Sequence, residues 1–167
     1  MENAEKEQIL SEIVSTQSLP DCEAVDALWV ALTNAVSLMK SASASERDSK
    51  GMSALVENFS DEEIKRLLND GSVDSLVFLD PPLETVLADP DEKPDEDSTM
   101  RIIAKIRSSR DSDPRETLIN LGEILKRICD KRVHGFKTES GSRDKEILSP
   151  TRKILYLLCM LAISKLS

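Results

Sequence analysis

The sequence has few of the residues that build sheets, disulfide frameworks or metal sites. Its 167 residues include five glycines, three cysteines and one histidine, and aromatic residues make up 3% of the chain. So few glycines leave little material for the tight turns of a sheet protein. The cysteines are odd in number and form no Cys-x-x-Cys pair, which argues against a disulfide framework and a zinc site. We therefore expect a reducing, cytoplasmic location, no metal and no cofactor.

Patterns typical of export and membrane insertion are also missing. The first seven residues are acidic, whereas a signal peptide begins with basic and then apolar residues. The longest apolar run, Ile154 to Ile163, is shorter than the ~20 residues that span a bilayer. We therefore expect no membrane association.

Apolar residues recur at helical spacing through most of the chain. The most regular stripe consists of Val25, Leu28, Trp29, Leu32, Ala35, Val36 and Met39. Further helices are predicted over residues 3–15, from a Ser60–Glu63 capping box to a terminating Gly71, from Ser98 or Thr99, over 114–133, and over 150–166. Residues 73–79 fit a strand or a buried helical turn, and their context favours the helix.

These elements predict an all-α helical bundle in a single domain, residues 1–167, in which residues 98–166 carry the motif described below. Asp21 is predicted to cap the second helix, and Pro81 and Pro82 to open a short helical piece through Leu87. Segments near 40–52 and 89–97 are expected to be mobile; the second has six acids and two prolines. The last helix is apolar nearly all round, so it forms either the centre of the bundle or half of a dimer interface.

Charge is unevenly distributed along the chain. The net charge of −9 disfavours non-specific binding of the whole protein to nucleic acid. Residues 126–153 contain nine Lys or Arg against four Asp or Glu, which is +5, so the remainder must carry −14. A locally basic zone therefore lies inside an acidic protein, either as a solvated surface or as a binding patch.

The helix over 114–133 contains the best candidate site. Leu118, Leu121, Leu125 and Ile128 form its core stripe. At ~100° per residue, Arg127 and His134 point within roughly 20° of each other, on a face predicted to lie opposite the core. Because Gly135 follows at once, the histidine is placed at the helix end.

At these residues the sequence resembles the HEPN superfamily of small helical domains, whose hallmark is an arginine, four to six residues, and a histidine near a helix end. The segment from Arg127 to His134 fits the longest spacing, and the resemblance covers roughly the C-terminal third of the chain. Where the commonest form of the motif has its arginine, this chain has Cys129, followed by Asp130. Either Arg127 substitutes for that arginine or the catalytic pair is degenerate.

For active members, the resemblance implies metal-independent RNA cleavage in a cleft built by two protomers, hence a homodimer. His134 would move the proton at the 2′-hydroxyl or at the leaving oxygen, and Arg127 would bind the pentavalent phosphate. Asp130 and Lys131 would support this pair. The candidates for binding flanking phosphates are Arg132, Lys137 and Arg143.

Three functions remain open from the sequence. The first is an RNA endonuclease of the toxin or defence type. The second is a non-catalytic HEPN-like module for dimerisation or nucleotide binding. The third is an acidic antitoxin or immunity protein that covers a basic protein partner. A histidine in the last turn of a helix is also favoured by the helix dipole alone, without any catalytic role.

Overall fold

The computed structural model describes residues 2–39, 51–79, 82–83, 87, 98–133 and 142–166. These residues form eight α-helices and one short 3-10 turn, and no strand occurs among them. The helices are α1 (Glu2–Ser15), α2 (Asp21–Leu38), α3 (Gly51–Asn58), α4 (Asp61–Leu68), α5 (Gly71–Val77), α6 (Thr99–Ser109), α7 (Pro114–Val133) and α8 (Ser142–Lys165), and the 3-10 turn is Thr16–Ser18. The prediction of an all-α bundle is confirmed.

Capping residues fix three of the predicted helix starts. At α4, Ser60 Oγ accepts the Glu63 amide at 3.2 Å and the Ser60 amide donates to Glu63 Oε1 at 2.9 Å, which is the predicted capping box. Ser98 Oγ accepts the Arg101 amide at 3.3 Å at the start of α6. Asp113 Oδ1 accepts the Glu116 amide at 3.2 Å at the start of α7. Each bond satisfies an amide that has no partner within its own helix.

Two predicted helix boundaries are wrong. Asp21 is the first residue of α2 and does not cap it; the cap position is held by Pro20. Gly71 does not end α4, which stops at Leu68, but begins α5. The cause is Asp70, whose carboxylate accepts the Ser72 amide at 2.9 Å and so starts a new helix at the position where a glycine terminator was expected.

Part of the first expected mobile segment is helical. Residues 51 and 52 begin α3, which the sequence analysis did not predict, and its Met52 and Leu55 are buried at 8% and 0% exposure. Residues 40–50 and 89–97 lie outside the described residues. Of the predicted helical piece from Pro81, Leu83 and Leu87 are buried, and the Leu87 amide donates to the Leu83 carbonyl at 3.2 Å.

The last helix is longer than predicted and occupies the centre of the bundle. It begins at Ser142, so Pro150 lies inside it and does not open it. Ile147 and Leu148, in the turn before the proline, are buried at 0% and 5% exposure. Burying two such side chains contributes about 1.5–3 kcal/mol each, enough to offset the ~3 kcal/mol that an internal proline costs.

The helices form two groups that share one hydrophobic core. α8 packs mainly on α2 and also on α5, α1 and α4, while α7 packs on α6, α4, α3 and α2. Segment Lys145–Lys165 of α8 is long and apolar enough to cross a membrane, yet 56% of its most apolar window is buried inside the protein. A core helix of a bundle passes the same test, so length and composition do not assign this helix to a membrane.

Candidate functional site

The candidate site lies on α7, whose core stripe fixes the direction of every other side chain. Leu118, Leu121, Leu125 and Ile128 are all completely buried, as predicted. The described part of this helix extends to Val133. His134 and Lys137 lie outside the described residues, as do the side chains of Lys131, Arg132 and Arg143, whose backbones belong to α7 and α8.

Arg127 lies at the margin of the core and not on the face opposite to it. Its Nη1 donates to Thr99 Oγ1 at 2.8 Å, and its Nε donates to Glu123 Oε1 at 3.1 Å. Thr99 is 1% exposed in the first turn of α6, whereas 23% of the Arg127 side chain remains accessible. Because its contact residues lie on two helices, Arg127 joins α6 to α7. This contact was not predictable, since Thr99 lies 28 residues away along the chain.

Cys129 is a core residue. It is 4% exposed, and burial, followed by the nearby carboxylates of Asp26 and Asp130, raises the pKa of its thiol to about 12. An arginine here would place a charge in the apolar interior, at a cost of several kcal/mol unless it were paired. Position 129 therefore cannot supply an accessible catalytic arginine in this packing, and Asp130, the next residue, is exposed.

The described cations at the C-terminal end of the basic zone are paired with carboxylates. Arg152 donates to Asp21 Oδ1 at 3.0 Å and to the carbonyls of Leu19 and Thr16, each at 2.8 Å. Lys153 Nζ lies 3.6 Å from Asp70 Oδ2. These pairs connect α8 to elements of the acidic part of the chain, so Arg152 and Lys153 do not add unpaired positive charge to the surface.

A pocket of about 310 Å³ adjoins these cations between the 3-10 turn, α2 and α8. Several of its polar groups have partners within the protein: Arg152 and Lys153 are bound as described above, and Gln17 Nε2 lies 3.5 Å from the Tyr156 hydroxyl. The lining residues are Thr16, Gln17, Leu28, Ser149, Arg152, Lys153 and Tyr156. Sequence reasoning missed this pocket because it joins residues from three separate segments.

No group of three or more histidine, cysteine or acidic side chains that could hold a metal ion occurs among the described residues. Comparison with protein-family models, curated proteins and solved structures found no match to this chain.

Proposed function

We propose that this chain is a non-catalytic, HEPN-like helical module that associates with a second copy of itself through the outer face of α8. This face consists of Tyr156, Leu157, Met160 and Leu161, which are partly buried and pack against the core from its edge. It is the observation that carries the proposal, because the eleven residues from Ile154 to Ser164 include no charge. An uncharged, partly exposed helix face is typical of the centre of an interface.

The ends of the α8 outer face suit a symmetric contact. Lys153 lies 3.6 Å from an Asp70 oxygen, and Lys165 Nζ lies 2.8 Å from Glu63 Oε2. Both flanking lysines are thus paired within one protomer. In a two-fold arrangement the same patch meets itself, and paired lysines bring less like-charge repulsion than unpaired ones would.

The surroundings of Arg127 favour this module over an enzyme. A catalytic arginine must place its guanidinium on a phosphate in the transition state. The guanidinium of Arg127 is instead bound to Glu123 and to a buried threonine, and position 129 holds a buried cysteine. Both observations support a structural role for this part of the motif.

The mass of the native protein in solution tests the proposal. By light scattering after gel filtration we expect a dimer, and Met160→Lys should give a folded monomer. Val30→Lys is the matched control, because Val30 is a 54% exposed apolar residue of α2, and this variant should remain dimeric. A monomeric wild type, or a dimeric Met160→Lys variant, would contradict the proposal. Leu158 is unsuitable as a probe, because it is completely buried and a charge there would unfold the core.

A second candidate function is metal-independent RNA cleavage through His134 and Arg127. What supports it is that part of the Arg127 side chain remains accessible. This candidate predicts that the protein cleaves RNA in the presence of a chelator and leaves cyclic phosphate ends, and that His134→Ala abolishes this cleavage. Complete absence of cleavage, or cleavage that survives the substitution, would contradict it.

A further inference from the structure

The charged residues of α6 are all basic. From Ser98 to Arg110 the chain has four basic residues and no acidic one. The apolar residues of this helix, Ile102, Ile103 and Ile106, are buried at 5%, 0% and 0% exposure. Because they occupy the inner face, the basic side chains are directed towards the rim and the solvent.

Most of this positive charge has no counterion within the described part of the chain. Arg101 and Lys105 are exposed and Arg107 is half-buried, and none of the three forms an ion pair with a described residue. Arg110 differs, since its Nη2 lies 2.5 Å from Asp74 Oδ1. Three cations of α6 thus remain for an anionic partner.

An exposed aromatic ring lies beside these cations. Phe78, directly after α5, is 55% exposed, and the guanidinium carbons of Arg107 and Arg110 lie 5.4 and 5.8 Å from its ring centre. Arg107 Nε also donates to the Val77 carbonyl at 2.7 Å, and Arg110 Nη1 donates to the Leu68 carbonyl at 3.1 Å. These bonds hold both arginines against the ring, so an aromatic group and fixed cations share one surface.

We infer that the outward side of α6, which has Arg101 and Lys105 along it and Arg107 with Phe78 at its edge and is here called the α6 cationic surface, binds single-stranded nucleic acid. The cations match the phosphates of the backbone, and the ring with its adjacent guanidinium groups offers a place for an unpaired base to stack. A duplex keeps its bases stacked inside and offers only the phosphates to this surface.

A lipid surface fits the same charges less well. A helix that lies in a membrane interface inserts an apolar face into the lipid. The apolar face of α6 is already buried in the protein, which leaves Met100 and Phe78, each 55% exposed, as its large apolar contacts. The α6 cationic surface requires neither Arg127 nor His134, so the inference is independent of either function proposed above.

Fluorescence anisotropy with labelled single strands of mixed sequence, one RNA and one DNA, tests the inference over a range of NaCl in the presence of a chelator. The DNA strand lacks the 2′-hydroxyl, so nucleolytic loss of the probe by the proposed chemistry cannot affect it. Arg101→Gln/Lys105→Gln should weaken binding about tenfold or more and reduce the salt slope by about 1.4, at about 0.7 for each phosphate contact in single strands. Phe78→Ala should weaken binding about tenfold.

The matched control is Lys65→Gln/Arg66→Gln, which removes two exposed cations from α4 and gives the same net charge as the α6 double variant. Its affinity should equal that of the wild type. Binding of RNA, DNA or both supports the inference and identifies the backbone that is recognised. Absence of salt-dependent binding by the wild type, equal loss in the control pair, or equal affinity for a duplex would overturn it. So would α6-dependent binding to phosphatidylserine vesicles without binding to either strand.

Discussion

The contact between Arg127 and Thr99 gives the sharpest test of how the candidate site is built. If Arg127 serves mainly to join α6 to α7, Arg127→Met should destabilise the fold, although methionine keeps the length of the side chain. The variant loses a bond to a hydroxyl group that is 1% exposed and a bond to Glu123. Thr99→Val removes the same interhelical bond from the other side.

The burial of the two partners decides which bond dominates. A hydrogen bond between a charged group and a buried partner contributes about 1.5–3 kcal/mol. The Glu123 pair spans one helical turn, with 38% of the glutamate side chain exposed, and such pairs contribute about 0.3–0.5 kcal/mol. We therefore expect Arg127→Met to lower the free energy of unfolding by about 2 kcal/mol, mostly through Thr99. For a chain of this size, that corresponds to a fall in Tm of roughly 4–8 °C.

A double-mutant cycle with urea unfolding separates this bond from other contacts of either residue. The coupling energy between Arg127→Met and Thr99→Val should be about 1.5 kcal/mol, which is most of the expected loss. Lys126→Met is the control, because Lys126 is the exposed neighbour in sequence, and it should change stability by less than about 0.5 kcal/mol. If Arg127→Met is as stable as this control, or the coupling is zero, the bridge has no energetic role and the arginine becomes available for the catalytic proposal.

Three further predictions concern packing, acid stability and thiol reactivity. Gly122→Ala should destabilise by about 1–2 kcal/mol, because the new methyl group would overlap Met52 Cγ and lie 2.8 Å from Met52 Sδ. In a Met52→Ala background the same substitution should become stabilising by about 0.5–1 kcal/mol. Thermal unfolding of the four proteins checks this, and a stabilising Gly122→Ala in the wild type would contradict it. The pKa of Glu63 is lowered to about 2, first by the hydrogen bond from its lysine partner in α8. The ionised Glu63 carboxylate therefore stabilises the fold fully above pH 4.5, and this stabilisation is lost as the pH falls towards 2. In urea unfolding, the loss of stability caused by Glu63→Gln should therefore shrink over that range, and a loss that stays constant would refute the assignment. A thiol reagent at pH 8 should modify only Cys22 in the native protein, since burial raises the pKa of the other two cysteines to about 12, and rapid reaction of all three would show that the core opens.

Helix positions could be predicted wherever a local signal and the tertiary structure agree. Ser60 and Ser98 cap the helices that they were expected to cap, and Asp113 caps the helix predicted over 114–133. Each side chain bonds an amide only three residues away, which is a local signal. The start of α8 could not be predicted, because Pro150 is a local signal against a helix. The burial of Ile147 and Leu148 by distant helices outweighs that signal.

Helix α3 was not predicted because its own sequence signal is weak, although its packing is good. Its eight residues begin with a glycine and follow a segment rich in serine and charge, so its own sequence gives a weak signal. Short helices are marginal alone and gain their stability from packing. Here that stability comes from α7, where the absence of a side chain at Gly122 makes room for Met52. This fit between two separate segments has no counterpart in either local pattern.

The direction of a side chain on a helix was predictable, but its partner was not. The stripe of α7 correctly identified the buried leucines, and it also indicates why Cys129, one position beyond Ile128, lies in the core. It could not reveal that Arg127 would reach the first turn of α6. Helical periodicity describes one helix in isolation, whereas the role of a charged side chain at the margin of the core depends on the neighbouring helix.

For charge, too, the sequence shows where the charged residues are but not which of them are paired in the fold. Counted along the sequence, the basic zone over 126–153 is the obvious place for an anionic partner. In the fold, Arg127, Arg152 and Lys153 pair with carboxylates, while the cations of α6 have no described counterion. An anion is attracted by charge that its neighbours have not already neutralised, and screening confines this effect to about 8–10 Å. We therefore expect an anionic partner to be more sensitive to the loss of two α6 cations than to the loss of Arg152 and Lys153, although the second pair lies in the more basic stretch of sequence.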